Sequence, residues 1–376
     1  MNIGFDGLWA VFNLTSRGNM SRNLINALAT NASKNKYIIY SPISSENRHL
    51  TPLLANPNVM IRQPKHGYFK YLWRWGDGLG KDLRRHHIRI YHGLCGVLPF
   101  YKGGSHAHWV VSINDLVVIF NSTKMGFWQR IKEKIALRHS LRMAERIVVP
   151  SEWALNKLTS HFKVDVSKID VVPPCVDKNF AIPVHDEAKQ ALAKHHGLPE
   201  RFILLMGPLD ESKHVLDVVR SYKYINDKEL SIVLMGKTTH YYRHTIRPYI
   251  NEHNLHDRVI HVKHIHSVDL PNIYQQAQAV ICPKRDSFYS LSMLESMCSG
   301  TPVIVSPGTM MANDGGDAVM VTVDNTPKAW GEAINTLMDS PELQENLRER
   351  GREMANRYSS ENTAKALLAC YSKIED

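Results

Sequence analysis

Three stretches carry the residues best suited to grip a phosphorylated ligand. In Gly207-Pro208-Leu209-Asp210-Glu211-Ser212-Lys213, a glycine closes the apolar run Phe202–Met206, and Lys213 follows where a helix opens. A lysine there opposes the helix dipole, and at the carboxyl end of a strand its ammonium suits a phosphate; the alternative is an ordinary solvated lysine. Between Pro283 and Ile304 a strand ends in a polar loop, a short helix carries Glu295, and Gly300-Thr301-Pro302 leads into another strand. The amides near Ser290 and Leu291 would face a pyrophosphate at that helix start. A buried Glu295 carboxylate would accept two hydrogen bonds from a ribose diol. Gly18 lies between a strand and a helix beginning near Met20, where a missing Cβ lets amides approach an anion. It is not part of a G-x-G-x-x-G, and taken alone it reads better as a simple loop glycine.

Two series of strands must position these residues. Short β-branched runs at 2–5, 37–41, 59–62, 88–92, 108–113 and 146–149 form the first; 202–206, 231–235, 259–262, 279–282, 302–305 and 319–323 form the second. Amphipathic stretches alternate with them, at 20–29, 213–225, 269–277, 292–299 and 328–338. Strand–helix alternation predicts parallel sheets with helices on both faces. Residues 1–176 form one doubly wound domain and 177–357 a second, with 177–201 read as linker from its Pro, His and charge content. The last helix, 358–376, presents Ala364, Leu367, Leu368, Tyr371 and Ile374 on one face and completes the first domain. Ligands of such sheets bind beyond the carboxyl strand ends, so two sheets facing an interdomain cleft suit a two-substrate enzyme.

Composition excludes several classes. The 376 residues are 22% charged and 43% hydrophobic, ordinary for a folded protein and too long for one core. The start, Met1-Asn2-Ile3-Gly4-Phe5-Asp6, lacks the pattern of a signal peptide, and no apolar run reaches the ~20 residues of a membrane span. Five scattered cysteines without a C-x-x-C fit a reducing cytoplasm. Neither a zinc motif nor an Asp-x-Asp pair occurs, so no metal and no cofactor are expected.

The three stretches together resemble the family four retaining glycosyltransferases of the GT-B fold, over nearly the whole chain. Leu291, Leu294, Glu295, Met297, Gly300, Pro302, Val303 and Ile304 match the signature E-G-F-G-L-P-x-L-E-A-M-x-x-G-x-P-V-I. Gly18 with Arg22-Asn23-Leu24 is similar to G-x-G-R-Y-x-R-N-L. Tyr91-His92-Gly93 and Ile113-Asn114-Asp115-Leu116 are similar to the acceptor-side F-H and T-x-H-D-L segments, and Gly207 to Lys213 is similar to G-R-L-x-x-x-K. The resemblance implies sugar transfer from a nucleotide-diphosphate donor, such as GDP-mannose or a UDP-sugar, to a glycan or lipid-linked acceptor, building surface polysaccharide or glycolipid. It implies Asn114, Asp115, Lys213 and Glu295 as the catalytic set, His92 and Asn114 toward the acceptor, and Gly18 and Gly207 beside the donor. Lys213 and the loop amides would stabilise charge growing on the leaving diphosphate.

The chain departs from the pattern where chemistry would occur. The phosphate-binding arginine position is Pro208, the first glutamate position is Ser287, the histidine of H-D-L is Asn114, and Phe288 and Ser290 replace the two loop glycines. Three explanations stand: a different donor, substitution by neighbours such as Lys284, Arg285 and Asp286, or loss of catalysis. A catalytically impaired sugar-nucleotide or glycan-binding homologue and a GT-B sugar-nucleotide epimerase are thus the rival readings.

Charge is divided unevenly. Residues 1–180 hold 25 Lys/Arg against 11 Asp/Glu, while the remainder is slightly acidic. The excess gathers in 68–89 and 124–142, where aromatics alternate with cations. This composition suits an anionic membrane surface, such as the inner face of the plasma membrane; a solvated basic face with inward aromatics is the alternative. No recognition motif accompanies it, so nucleic acid is not expected.

Overall fold

The computed structural model describes residues 1–43, 48–64, 73, 74, 77–114, 126–263, 265–283 and 290–374. The chain divides into two units, Met1–Cys175 with Tyr358–Asp376, and Val176–Arg357.

The first unit is built on seven parallel strands: β1 (Asn2–Asp6), β2 (Lys36–Tyr40), β3 (Val59–Arg62), β4 (Ile90–Gly93), β5 (His108–Ser112), β6 (Arg146–Val149) and β7 (Ile169–Val171). Their order is β3-β2-β1-β4-β5-β6-β7. The interior strands read as nearly continuous apolar runs because helices cover both faces. β7 has no counterpart among the sequence-predicted strands. It is three residues long and interrupted by Asp170, which pairs with Arg146 on β6 (Nε to Oδ2, 2.7 Å).

The helix Ser360–Ser372 returns to this unit and packs along the helix Ser16–Asn31. Ala364, Leu367, Cys370 and Tyr371 enter one core with Ile25, Leu28, Phe5 and Ile90. His92 fixes the register. Fully buried at the end of β4, it is hydrogen-bonded through Nδ1 to the Tyr371 hydroxyl (2.8 Å) and through Nε2 to Ser112 Oγ (2.8 Å). Burial depresses its pKa to about 3, so the ring is neutral and serves as a tie between strand and terminal helix.

The second unit repeats the topology with six parallel strands: β8 (Phe202–Met206), β9 (Ser231–Met235), β10 (Val259–Val262), β11 (Ala279–Cys282), β12 (Val303–Val305) and β13 (Met320–Val321), in the order β10-β9-β8-β11-β12-β13. Trp330, Ile334 and Leu337 of the helix Pro327–Met338 pack with strand residues Ile203, Leu205 and Ile232 in its core. The stretch 177–201, read from composition as linker, instead contains the helix Asp186–His196. Its ends explain it: Asp186 and Glu187 lie in the first turn, Lys194 to His196 in the last, and Gly197 closes it at φ +62°. The expected helix 213–225 is broken into short turns around the helix Val215–Ser221, with His214 left-handed at φ +48°.

Candidate functional site

In each sheet the chain reverses its direction of growth between two central strands, β1 and β4 in the first, β8 and β11 in the second. A crevice forms there at the carboxyl ends. The two crevices are built from similar topology and contrasting chemistry.

In the second unit, Gly207 follows β8 directly. Its amide donates to the Met235 carbonyl at the end of β9 (2.7 Å), and an added Cβ would lie 3.0 Å from that oxygen and 3.3 Å from Gly236 Cα, so a glycine lets the strand ends close up. The chain then turns through Glu211–Lys213. Asp210 caps this turn, its Oδ1 accepting from the Ser212 amide (2.9 Å) and hydroxyl (2.5 Å). The turn delivers a half-buried Lys213 close enough to favour the ionised forms of Glu295 and Cys282.

From β11 the chain passes Pro283 and enters the helix Leu291–Cys298 at Ser290. The Ser290 hydroxyl caps this helix, accepting from the Met293 amide (3.3 Å), and lies 3.1 Å from Ser292 Oγ. Leu291 is buried, anchoring the first turn. One turn on, Glu295 is 7% exposed and accepts a hydrogen bond from the Tyr274 hydroxyl (2.8 Å). Burial pushes its carboxyl up to about 7; the Tyr274 bond opposes the rise, Asp177 adds to it, and Lys213 opposes it. Tyr274 is itself fixed. Its carbonyl accepts from Thr301 Oγ1 (2.7 Å), and its ring meets Phe180 edge-on at 5.6 Å.

Gly207, Lys213, Ser290, Leu291 and Glu295 thus gather around the β8–β11 crevice. Arg285, Asp286 and Ser287 lie outside the described residues, as does Asp115. Tyr274 and Asp177 escaped the sequence reading. The signal for Tyr274 was the need of a buried carboxylate for a donor, but nothing local selects which tyrosine supplies it.

The first unit holds the remaining residues. Gly18 lies inside the first turn of the helix Ser16–Asn31, not ahead of it. An added Cβ would sit 1.7 Å from the Asn13 carbonyl oxygen, and its amide already donates to Asn13 Oδ1 (3.3 Å). Its glycine requirement is therefore met by chain packing. Arg22 closes the same turn through the carbonyls of Ala10 (2.7 Å) and Asn13 (3.0 Å). His92, expected toward the acceptor, has no exposed surface and both nitrogens engaged. Asn114 is half-buried beyond β5, its Nδ2 3.5 Å from the Leu94 carbonyl.

The β1–β4 crevice is occupied by an internal ion pair. Asp6, ending β1, receives Arg74 through Nε (2.9 Å) and Nη2, and both are buried. Nη2 also donates to the Val97 carbonyl (2.9 Å). Burial works against the guanidinium charge, yet Asp6 holds its pKa above the ordinary value. This corrects the reading of 68–89 as an exposed basic-aromatic surface at two residues, whereas Lys81, Arg84, Arg85 and Arg89 are exposed: Arg74 points into the domain, and Trp73 donates from Nε1 to Asp82 (2.9 Å) with its ring beside Tyr40. Tyr68, Phe69, Lys70, Tyr71 and Trp75 lie outside the described residues. In 124–142 the aromatics do face out: Phe127 is 64% and Trp128 73% exposed. Among the described residues no helix is long and apolar enough to cross a membrane.

Two doubly wound parallel domains in one chain make the GT-B architecture. The same fold is found, at 17% identity and a TM-score of 0.80 over 100% of this chain and 99% of the other, in sucrose-phosphate synthase from Thermosynechococcus elongatus. Anabaena HepE in complex with UDP-glucose matches at a TM-score of 0.76 and 12% identity, over 99% of this chain and 100% of HepE. The family described as Glycosyl transferases group 1 matches residues 187–354, and Glycosyltransferase Family 4 matches residues 22–180. The chain belongs to the family four, group 1 glycosyltransferases. Among curated relatives, D-inositol 3-phosphate glycosyltransferase of Corynebacterium glutamicum is 24% identical over 61% of this chain and 57% of the relative. The O-antigen chain mannosyltransferase RfbU of Salmonella typhimurium is 21% identical over 58% of each chain. The chain thus spans little more than half the length of these relatives.

The raised Glu295 pKa has a measurable consequence. An unfolded carboxyl titrates near 4.5, so the folded site favours the protonated form. That stabilisation is complete below the unfolded pKa and is lost as pH rises through about 7. The uncharged Glu295→Gln protein should therefore gain in Tm over the parent as pH is raised from about 5 to about 8. Thermal unfolding of the free protein reads this; an increment equal at both pH values contradicts it.

Proposed function

We propose that the protein transfers a sugar from a nucleotide-diphosphate donor to a glycan or lipid-linked acceptor, with retention at the anomeric carbon and without a metal. The observation that carries this reading is the convergence of Lys213, the capped helix start at Ser290–Leu291 and buried Glu295 on the β8–β11 crevice. Lys213 and the amides at the helix start face the diphosphate, where negative charge grows as the glycosidic bond breaks. Glu295 takes the ribose hydroxyls. The departing phosphate receives the acceptor's proton. An O-antigen chain mannosyltransferase among the relatives and a structural neighbour in complex with UDP-glucose support a mannosyl or UDP-hexose donor and an acceptor in surface polysaccharide synthesis.

The proposal includes peripheral contact with an anionic bilayer through the helix Phe127–Met143. Exposed Phe127, Trp128 and Ile135 lie beside exposed Lys132 and Lys134, apolar groups and cations on one segment. Trp128→Glu should reduce sedimentation with phosphatidylglycerol vesicles. Equal, negligible sedimentation of the parent protein with and without anionic lipid overturns this part.

A panel of GDP-, UDP- and dTDP-sugars tests the reaction. Slow release of free nucleotide and sugar from at least one donor is expected, unaffected by chelator. Lys213→Ala should lower its rate by about one to two decades, the worth of one charge-assisted contact to the leaving group. Binding without turnover for every donor, or turnover indifferent to Lys213→Ala, contradicts the proposal.

A further inference from the structure

The first unit carries a second feature at the edge of its sheet opposite the β1–β4 crevice. The helix Phe127–Met143 leads the chain to the amino end of β6, and the helix Glu152–His161 with residues 162–168 leads it to the amino end of β7. A groove of about 660 Å³ runs between them. Five basic side chains line it: Arg138, Arg142, His161, Lys163 and Lys168. Leu141 and Phe162, both 7% exposed, form its floor.

Most of this charge is not balanced within the protein. Arg138 and Arg142 are one helical turn apart on the same face, where like charges repel. Among the described residues the side chains of Arg138, Arg142 and Lys163 make no hydrogen bond or ion pair, while Lys168 lies within electrostatic reach of Asp165. The one carboxylate in the lining, Asp165, directs Oδ1 to its own turn, accepting from the Ser167 amide (3.0 Å) and hydroxyl (2.7 Å). Helix dipoles favour Arg142 and His161, each in the last turn of its helix. They do not account for Arg138 or Lys163, and Asp165 answers only Lys168 within the lining. A concave, apolar-floored site whose rim cations outnumber its one carboxylate is a site for an anion joined to an apolar body.

We infer that this groove binds a phosphate-bearing ligand, with the phosphate among Arg138, Arg142, Lys163 and Lys168 and the remainder over Leu141 and Phe162. The site belongs wholly to the first unit, whereas Lys213 and Glu295 belong to the second. Two sources present that chemistry, a soluble phosphate ester and an anionic phospholipid headgroup.

The test uses the full chain carrying Lys213→Ala, so that the cation assigned to the donor makes no contribution. Inorganic pyrophosphate is titrated calorimetrically, and phosphatidylglycerol vesicles are sedimented against phosphatidylcholine controls. Both are repeated after adding Arg138→Gln, Arg142→Gln, Lys163→Gln and Lys168→Gln, with circular dichroism confirming the fold. A loss of pyrophosphate affinity of about tenfold or more supports the groove as a soluble-phosphate site. A comparable loss confined to phosphatidylglycerol vesicles supports it as a headgroup site. Affinities unchanged by the four substitutions, or no binding of either probe before them, overturn the inference.

Discussion

A carboxylate removed from water must be supplied with hydrogen bonds, and much of the second domain is arranged around that need at Glu295. Tyr274 supplies one donor. Holding Tyr274 in place requires Thr301 at its carbonyl and Phe180 against its ring. Thr301 in turn stands between Gly300, at φ +71°, and the start of β12. The helix bearing Glu295 is fixed at its start by the Ser290 cap and by buried Leu291. β8 lies beside β11, and its closing turn brings Lys213 within electrostatic reach. One buried acid thus constrains a helix, two turns and a strand, and it remains poised near neutrality because its support is partial.

The first domain repeats the topology and resolves its electrostatics differently. Asp6 and Arg74 neutralise each other at the β1–β4 crevice, and Cys95 beside them is driven up to about 12 by burial and by Asp6. The basic excess of this half is therefore not gathered at its switch point. In the described residues it appears at Lys81, Arg84, Arg85 and Arg89, along the helix Phe127–Met143, and in the groove at the amino ends of β6 and β7. The division of charge seen in the sequence corresponds to surfaces, whereas the second domain, in its described residues, sets Lys213 against a buried acid at its crevice.

The sheets were readable because parallel strands covered on both faces need unbroken apolar runs, which stand out against polar helix exteriors. β7 was hidden by its three-residue length and by Asp170, whose partner on β6 no local pattern reveals. The helix Asp186–His196 carried its dipole-matched ends in plain view, but a Pro- and His-rich neighbourhood outweighed them. Lys213 and Glu295 were legible because a motif preserves their spacing. Tyr274 was not, since its role depends on how two helices meet. Arg74 was misread for the same reason: its partner lies 68 residues away, and a basic aromatic tract gives no sign that one cation turns inward. Gly18 showed that a glycine at an expected anion site can owe its identity to a neighbouring carbonyl.

The most direct test of the donor site is a structure of the full chain with UDP or GDP bound. The expected result places a Glu295 carboxylate oxygen within about 2.5–3.0 Å of each ribose hydroxyl and Lys213 Nζ on a diphosphate oxygen. A nucleotide seated away from the β8–β11 crevice, or Glu295 joined to Tyr274 with no ligand hydroxyl in reach, would contradict it.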